Sequence, residues 1–141
     1  MNLTLERIEP AHLWHVWDEI SPGIEQCITH DSDRPRVEEV YAAIRNGGST
    51  LLVGRLNGNF AGFVVTTSHR TPWTQTPYLF IWLVHNTAGH DILREGQMQL
   101  EKMAKDAGYA FIRLRADRLA FERLCQDMGY TLEAIELQKV L

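Results

Sequence analysis

Tyr78-Leu79-Phe80-Ile81-Trp82-Leu83-Val84 is apolar at every position. A strand with one wet face alternates apolar and polar residues, because successive side chains point to opposite sides of the sheet. An unbroken apolar run of this length therefore predicts a strand covered on both faces. It falls far short of the ~20 residues that span a bilayer. Downstream, Leu93, Gly96, Leu100, Met103, Ala104 and Ala107 recur at helical spacing between Asp91 and Gly108, with Gly108 placed as a helix-ending glycine. Ala110 to Ala116 then alternates Phe111, Ile112 and Leu114 with Arg113 and Arg115, the pattern of another strand. The run 78–84 thus becomes one of two central parallel strands joined by a helix.

Upstream, Thr50 to Arg55 and Phe60 to Thr67 are rich in β-branched and apolar residues, and Asn57-Gly58 between them predicts a hairpin, since both residues tolerate positive φ. Leu3, Leu5 and Ile8, ending at Pro10, predict an edge strand. Leu13, Val16, Trp17 and Ile20 share a helical face until Pro22-Gly23 interrupts it, with Ile24, Cys27 and Ile28 as a continuation. In the turn-like segment Asp31 to Pro35, Asp33 is placed to cap a helix and Pro35 to start one. Val37, Val40, Tyr41 and Ile44 form that helix's stripe, closed by Asn46-Gly47-Gly48. Beyond the second parallel strand, Leu119, Phe121, Leu124 and Met128 predict a shorter helix ending at Gly129, and Thr131 to Val140 a closing strand. The expected architecture is a single α/β domain over 1–141, a mixed sheet with helices on both sides, in the order β-α-α-β-β-β-α-β-α-β.

Composition narrows the function. The 141 residues are 45% apolar and suffice for one core, and the formal charge of −4 offers no electrostatic reason to bind a phosphate backbone. Nucleic acid is thus not an expected partner. Cys27 and Cys125 form neither a CxxC pair nor a secreted-style framework, and read as reduced thiols. With no basic start leading into an apolar run at the N-terminus, export by a signal peptide and a membrane span are both unexpected.

The element order, Leu100-Glu101-Lys102-Met103-Ala104-Lys105-Asp106-Ala107-Gly108-Tyr109 before a strand, and Met128-Gly129-Tyr130 before the last one together resemble the GNAT superfamily of N-acetyltransferases. The resemblance implies a GNAT-like fold and acetyl-CoA as cofactor if the chain is active. In that family an Arg/Gln-x-x-Gly-x-Gly/Ala turn after the fourth strand holds the coenzyme pyrophosphate on main-chain amides. The turn falls here on Ala88-Gly89-His90-Asp91-Ile92-Leu93, where only Gly89 survives. The implied cofactor residues are Val84, Gly89, His90, Asp91, Ile92 and Leu93. A Cβ at Leu93 blocks the approach of phosphate oxygens, and Asp91 repels them. The tyrosine that serves many members as general acid corresponds to Cys125, and the Asn-x-x-Ala before it falls on Arg118 and Phe121. Val40-Tyr41 through Phe63-Val64, and Leu79-Phe80-Ile81-Trp82, also resemble small GNAT-like proteins from the structural gene regions of tailed bacteriophages. That resemblance implies a non-catalytic virion or assembly component, phage structural proteins as partners, and a location in host cytoplasm or virion. A homo-oligomer stays open.

Each candidate has a plainer account. His85, at the end of the central strand, suits a general base, and equally a surface histidine at a strand end. Cys125 has no His and acid pair placed to activate it and reads as core. His12 and His15 share a helical face, yet the neighbouring Trp14 and Trp17 favour packing over a metal, and no metal is expected. Arg113, Arg115, Arg118 and Arg123 form a basic cluster suited to a phosphate or an acidic partner, or to plain strand alternation and helix salt pairs. Trp73, between prolines in the loop Arg70 to Pro77, is a candidate partner anchor, and in the enzyme reading the same loop borders the substrate cleft.

Overall fold

The computed structural model describes residues 2–31, 33–116 and 119–141. β1 (Leu3–Arg7) leads through a 3-10 turn (Pro10–His15) to α1 (Trp17–Ile28) and α2 (Val37–Arg45). The strands β2 (Thr50–Leu56), β3 (Asn59–Arg70) and β4 (Pro77–Asn86) follow, then α3 (His90–Asp106), β5 (Phe111–Leu114) and α4 (Leu119–Asp127). The sheet order is β1-β2-β3-β4-β5, antiparallel except for the parallel pair β4–β5. The β2–β3 hairpin turns at Asn57 (φ 52°) and Gly58 (φ 86°), as the dipeptide predicts.

Three expectations need correction. Pro22-Gly23 does not break the first helix: α1 runs through, burying Ile20, Gly23 and Ile24. Proline lacks the helical N–H, but the apolar stripe on both sides of it is worth more when buried than one ladder bond. Gly23 is needed there, because a Cβ would lie 2.7 Å from the Phe63 ring and 2.8 Å from that of His85. The cap of α2 comes from Glu39, whose carboxylate accepts the Arg36 N–H (3.1 Å), whereas Asp33 donates its N–H to Asp31 (2.8 Å). Thr131–Val140 forms no strand, and Leu132, Ile135, Leu137 and Val140 are 67–90% exposed. Its apolar residues switch from even to odd positions between Ala134 and Ile135, so no one register buries them together.

The two faces of the sheet carry separate cores. Ile20, Ile24, Val40 and Ile44 pack on Leu51, Val53, Phe63, Val65 and Leu83, while Leu100 and Ala104 of α3 pack on Leu52, Val64, Leu79 and Ile81. Leu79, Ile81 and Leu83 would share a face in a regular strand. They do not, because Val65 pairs with Leu83 and the next residue, Thr66, with Ile81, leaving Trp82 as an extra residue in β4. The Trp82 indole N–H donates to Asp31 (2.9 Å), tying the bulge to the α1–α2 connection.

At Gly62 (φ 146°) a Cβ would overlap the His85 carbonyl oxygen, backbone that cannot swing aside. Gly62→Ala is expected to lower stability by about 3 kcal/mol. Gly108→Ala meets only left-handed strain (φ 89°) with open space around it, and is expected to cost about 1 kcal/mol. Urea unfolding of the two variants checks the difference.

Candidate functional site: the β4–β5 fork and the turn into α3

β4 and β5 pair only from Tyr78↔Phe111 to Ile81↔Leu114. β5 stops there, while β4 continues through Trp82 to Asn86 with β3 alone as partner among the described residues. The parallel strands therefore fork at the bulge, and the outer edge of β4 is uncovered by β5 over Trp82–Asn86. The fork opens toward the turn that leads into α3.

Asn86 builds that turn. Its side chain accepts the Ala88 N–H (3.0 Å) and donates to the Gly89 carbonyl (2.8 Å), an Asx-type closure. Gly89 takes φ 92°, and no side chain caps the start of α3. The first turn of α3 thus presents main-chain donors, an arrangement that favours anions. His90 and Asp91 are exposed, and the Asp91 carboxylate sits in that same turn. Ile92 is buried against Leu3 and Ala61. Leu93 is half-buried and, with Gly96, Gln97, Leu100, Ile81 and Val84, lines an apolar cavity of about 80 Å³ beneath α3. The first turn of α3 carries a carboxylate and a bulky aliphatic where a close phosphate contact needs glycine, so the residues do not fit the pyrophosphate of acetyl-CoA.

Of the other predicted residues, His85 shares the lining of that cavity, whereas Cys125 and Trp73 lie elsewhere. His85 turns to the α1 face, where its ring stacks on Phe63 (centroids 5.5 Å apart, 29° between planes). Burial lowers its pKa, so the ring is neutral at pH 7. Cys125 is buried in α4, its pKa raised by desolvation. Its carbonyl accepts the Tyr130 N–H (3.0 Å). Trp73 is 93% exposed on the loop before β4, at the opposite end of that strand from the turn into α3, so this loop does not border the fork. His12 and His15 lie with ring centroids 5.4 Å apart, and no group of three His, Cys, Asp or Glu is placed to hold a metal among the described residues. No described helix is long and apolar enough to cross a membrane. Arg118 of the basic cluster lies outside the described residues.

Sequence reasoning missed two contacts. Cys27 of α1 donates its thiol to the Val84 carbonyl (3.2 Å), and burial pushes its pKa to about 11, which keeps it a structural donor. The Tyr130 hydroxyl accepts from Gln97 of α3 (2.9 Å), with its pKa pushed to about 12, chiefly by burial. Neither has a local signal, since the partners are far apart in sequence. The Asn86 turn did have one: an Asx residue two before Ala88.

Solved structures of the same fold span nearly the whole chain. The ribosomal-protein-alanine N-acetyltransferase from Brucella melitensis biovar Abortus 2308 superposes with TM-score 0.72 at 15% identity, over 99% of each chain. An aminoglycoside acetyltransferase from an uncultured soil metagenomic sample, in complex with sisomicin, gives 0.73 at 11%, over 99% of this chain and 96% of that one. A predicted acetyltransferase with acetyl-CoA from Clostridium acetobutylicum gives 0.67 at 15%, over 97% and 96%. No family model matches the sequence, and no curated protein is significantly similar to it. What architecture and neighbours define is the fold, that of the GNAT acetyltransferases: a mixed α+β domain on a five-stranded mixed sheet.

Both thiols should resist alkylation in the native protein. At pH 8 iodoacetamide is expected to label Cys27 and Cys125 at least about 100-fold more slowly than after unfolding in urea, read by intact mass. The His85 shift has a pH consequence. Because the native ring holds its proton less tightly than the unfolded one, stability is intact above about pH 6.5 and falls as pH drops below it. His85→Gln should remove that part of the slope in melting curves.

Proposed function

We propose that the chain is a GNAT-fold protein with a degenerate acetyl-CoA turn that acts by binding other proteins, as a non-catalytic virion or assembly component of the kind tailed phages encode. One observation carries the loss of coenzyme binding: Leu93 stands at the position that the resemblance reserves for glycine or alanine, half-buried in the cavity beside the fork, with Asp91 in the same helical turn. The residue at the general-acid position, Cys125, is buried and held protonated, which supports the same reading. Trp73, fully presented between β3 and β4, supplies an anchor of the type enriched at binding hot spots.

A second reading, an acetyl-CoA-dependent N-acetyltransferase acting on a small-molecule or protein amine, is favoured by the fork and the uncapped start of α3. In it the neutral His85 is the base-competent group and Val84 with Gly89–Leu93 the cofactor segment.

Thermal shift and calorimetry with acetyl-CoA separate the two. A ligand at about 100 times its dissociation constant stabilises by about 2.7 kcal/mol, which a melting curve resolves. The wild-type chain is expected to show no shift at millimolar coenzyme, whereas the pair Asp91→Gly and Leu93→Gly is expected to gain one. Micromolar affinity in the wild type would overturn the non-catalytic reading in favour of the enzyme.

A further inference from the structure

The 18 acidic residues are unevenly placed: none falls between positions 40 and 90, although the chain carries a formal charge of −4. That stretch supplies β2, β3, β4 and the loop from β3 to β4, and β5 adds no acid of its own. The formal charges that these four strands bring are all cationic, on a protein whose overall field is anionic.

One face of the sheet gathers arginines and aromatic rings. Leu79, Ile81, Ile112 and Leu114 turn to α3, so alternation sends Tyr78, Phe80, Phe111 and Arg113 to the opposite face. α1 and α2 cover that face farther along, over Phe63, Val65 and Leu83, beyond the Trp82 bulge. At the start of β4 the Tyr78 ring lies between those of His69 (5.5 Å, 25°) and Phe111 (5.0 Å, 8°) on the neighbouring strands. The Arg113 guanidinium sits 4.7 Å from the Tyr78 ring centre and 5.0 Å from that of Phe111, and Arg115, just past the end of β5, lies 5.8 Å from the Phe80 ring centre. Both arginines are exposed, and cation–π attraction holds them against the rings. Among the described residues Arg113 has no carboxylate partner, and Arg115 has a loose contact with Glu136 at 3.7 Å, both side chains being more than two thirds exposed.

Trp73 stands at the same end of the sheet, on the loop that follows the pairs His69↔Tyr78 and Arg70↔Pro77. That loop is braced. Thr71 donates its N–H to the Thr76 carbonyl (3.0 Å), Gln75 its N–H to the Thr71 carbonyl (3.0 Å), and the Arg70 guanidinium reaches the Gln75 carbonyl (2.8 Å). The Trp73 side chain, 93% exposed, is therefore presented on a support with little freedom left to lose on binding.

Alternate residues of an extended chain repeat at roughly 6.6 Å, so Arg113 and Arg115 match carboxylates on alternate residues of an extended peptide. A nucleic acid fits less well, because two cations neutralise little of a chain charged at every phosphate and the acidic remainder of the protein repels it. We propose that this face, from Arg113 and Arg115 to Trp73, docks an extended acidic segment of another protein, whose alternate carboxylates meet the two arginines while an apolar hollow beside them takes Trp73. The inference rests on the protein-binding reading above and names the chemistry of the partner.

Fluorescence anisotropy of the full chain with a labelled peptide alternating glutamate and leucine tests it. The peptide should bind with a dissociation constant below roughly 100 µM in about 50 mM salt, and about tenfold more weakly in about 500 mM, as screened charge pairs require. The same peptide with lysine for glutamate should not bind. Arg113→Gln with Arg115→Gln should weaken binding at least about tenfold and Trp73→Ala about threefold, with circular dichroism unchanged. If the glutamine pair disturbs folding, Arg115→Gln alone, away from the stacked Tyr78 and Phe111 rings, should still weaken it about threefold. Arg113→Glu with Arg115→Glu should move the preference to the lysine peptide. No binding by the wild type, unchanged binding in the arginine variants, or tighter binding of an oligouridylate would overturn the proposal. Self-association of the wild type that the arginine replacements abolish would likewise overturn it, in favour of a second copy. Acetyl-CoA titration is a separate readout: coenzyme binding with peptide binding intact removes the non-catalytic reading alone, and absence of both removes this proposal alone.

Discussion

β4 contains one residue more than its partner β3 can match, and the rest of the architecture follows from how that residue is accommodated. Inserting Trp82 between the pairs Val65↔Leu83 and Thr66↔Ile81 rotates the strand by one side chain, so Ile81 faces α3 while Leu83 and His85 face α1 and α2. A bulge also bends its strand and increases local twist, and β5 leaves β4 at this point. Two contacts from the same helical layer hold the arrangement: Asp31 accepts the Trp82 indole N–H, and Cys27 donates to the Val84 carbonyl. The bulge, the fork and the placement of His85 are therefore one structural decision.

The fork and the turn beyond it serve different ends. The fork is a product of strand pairing and survives any sequence that keeps the bulge. The first turn of α3 depends on side chains as well, and there they serve the helix. Asp91 is favourable for the helix dipole, and Leu93 contributes apolar surface to the cavity beneath the helix. An acidic or bulky side chain that strengthens a helix start competes with any anion for the same main-chain amides.

Much of the fold was legible because its signals are local. Asn57-Gly58 specifies a hairpin through backbone preferences alone, Gly108 ends α3 in the left-handed conformation, and the stripes of α2 and α3 repeat at helical spacing. Pro22-Gly23 misled because local propensity yields to the burial of Ile20 and Ile24 on the sheet, and Thr131–Val140 because its alternation changes phase midway. The strand-to-helix turn around Gly89 could be located by counting from Leu100, since the helix stripe repeats locally. The surroundings of His85 and Cys125 could not, since these depend on what each faces.

By itself the sequence determined the β2–β3 hairpin, the stripes of α2 and α3, the parallel strands either side of α3 and the order of the elements up to α4, because each of these is written in neighbours a few positions apart. The tertiary structure alone decided which face of β4 carries each side chain, that Cys27 meets Val84 and Tyr130 meets Gln97, and that β5 has only β4 beside it among the described residues. Those outcomes depend on a register shift of one residue and on contacts between distant segments, and no local pattern encodes either.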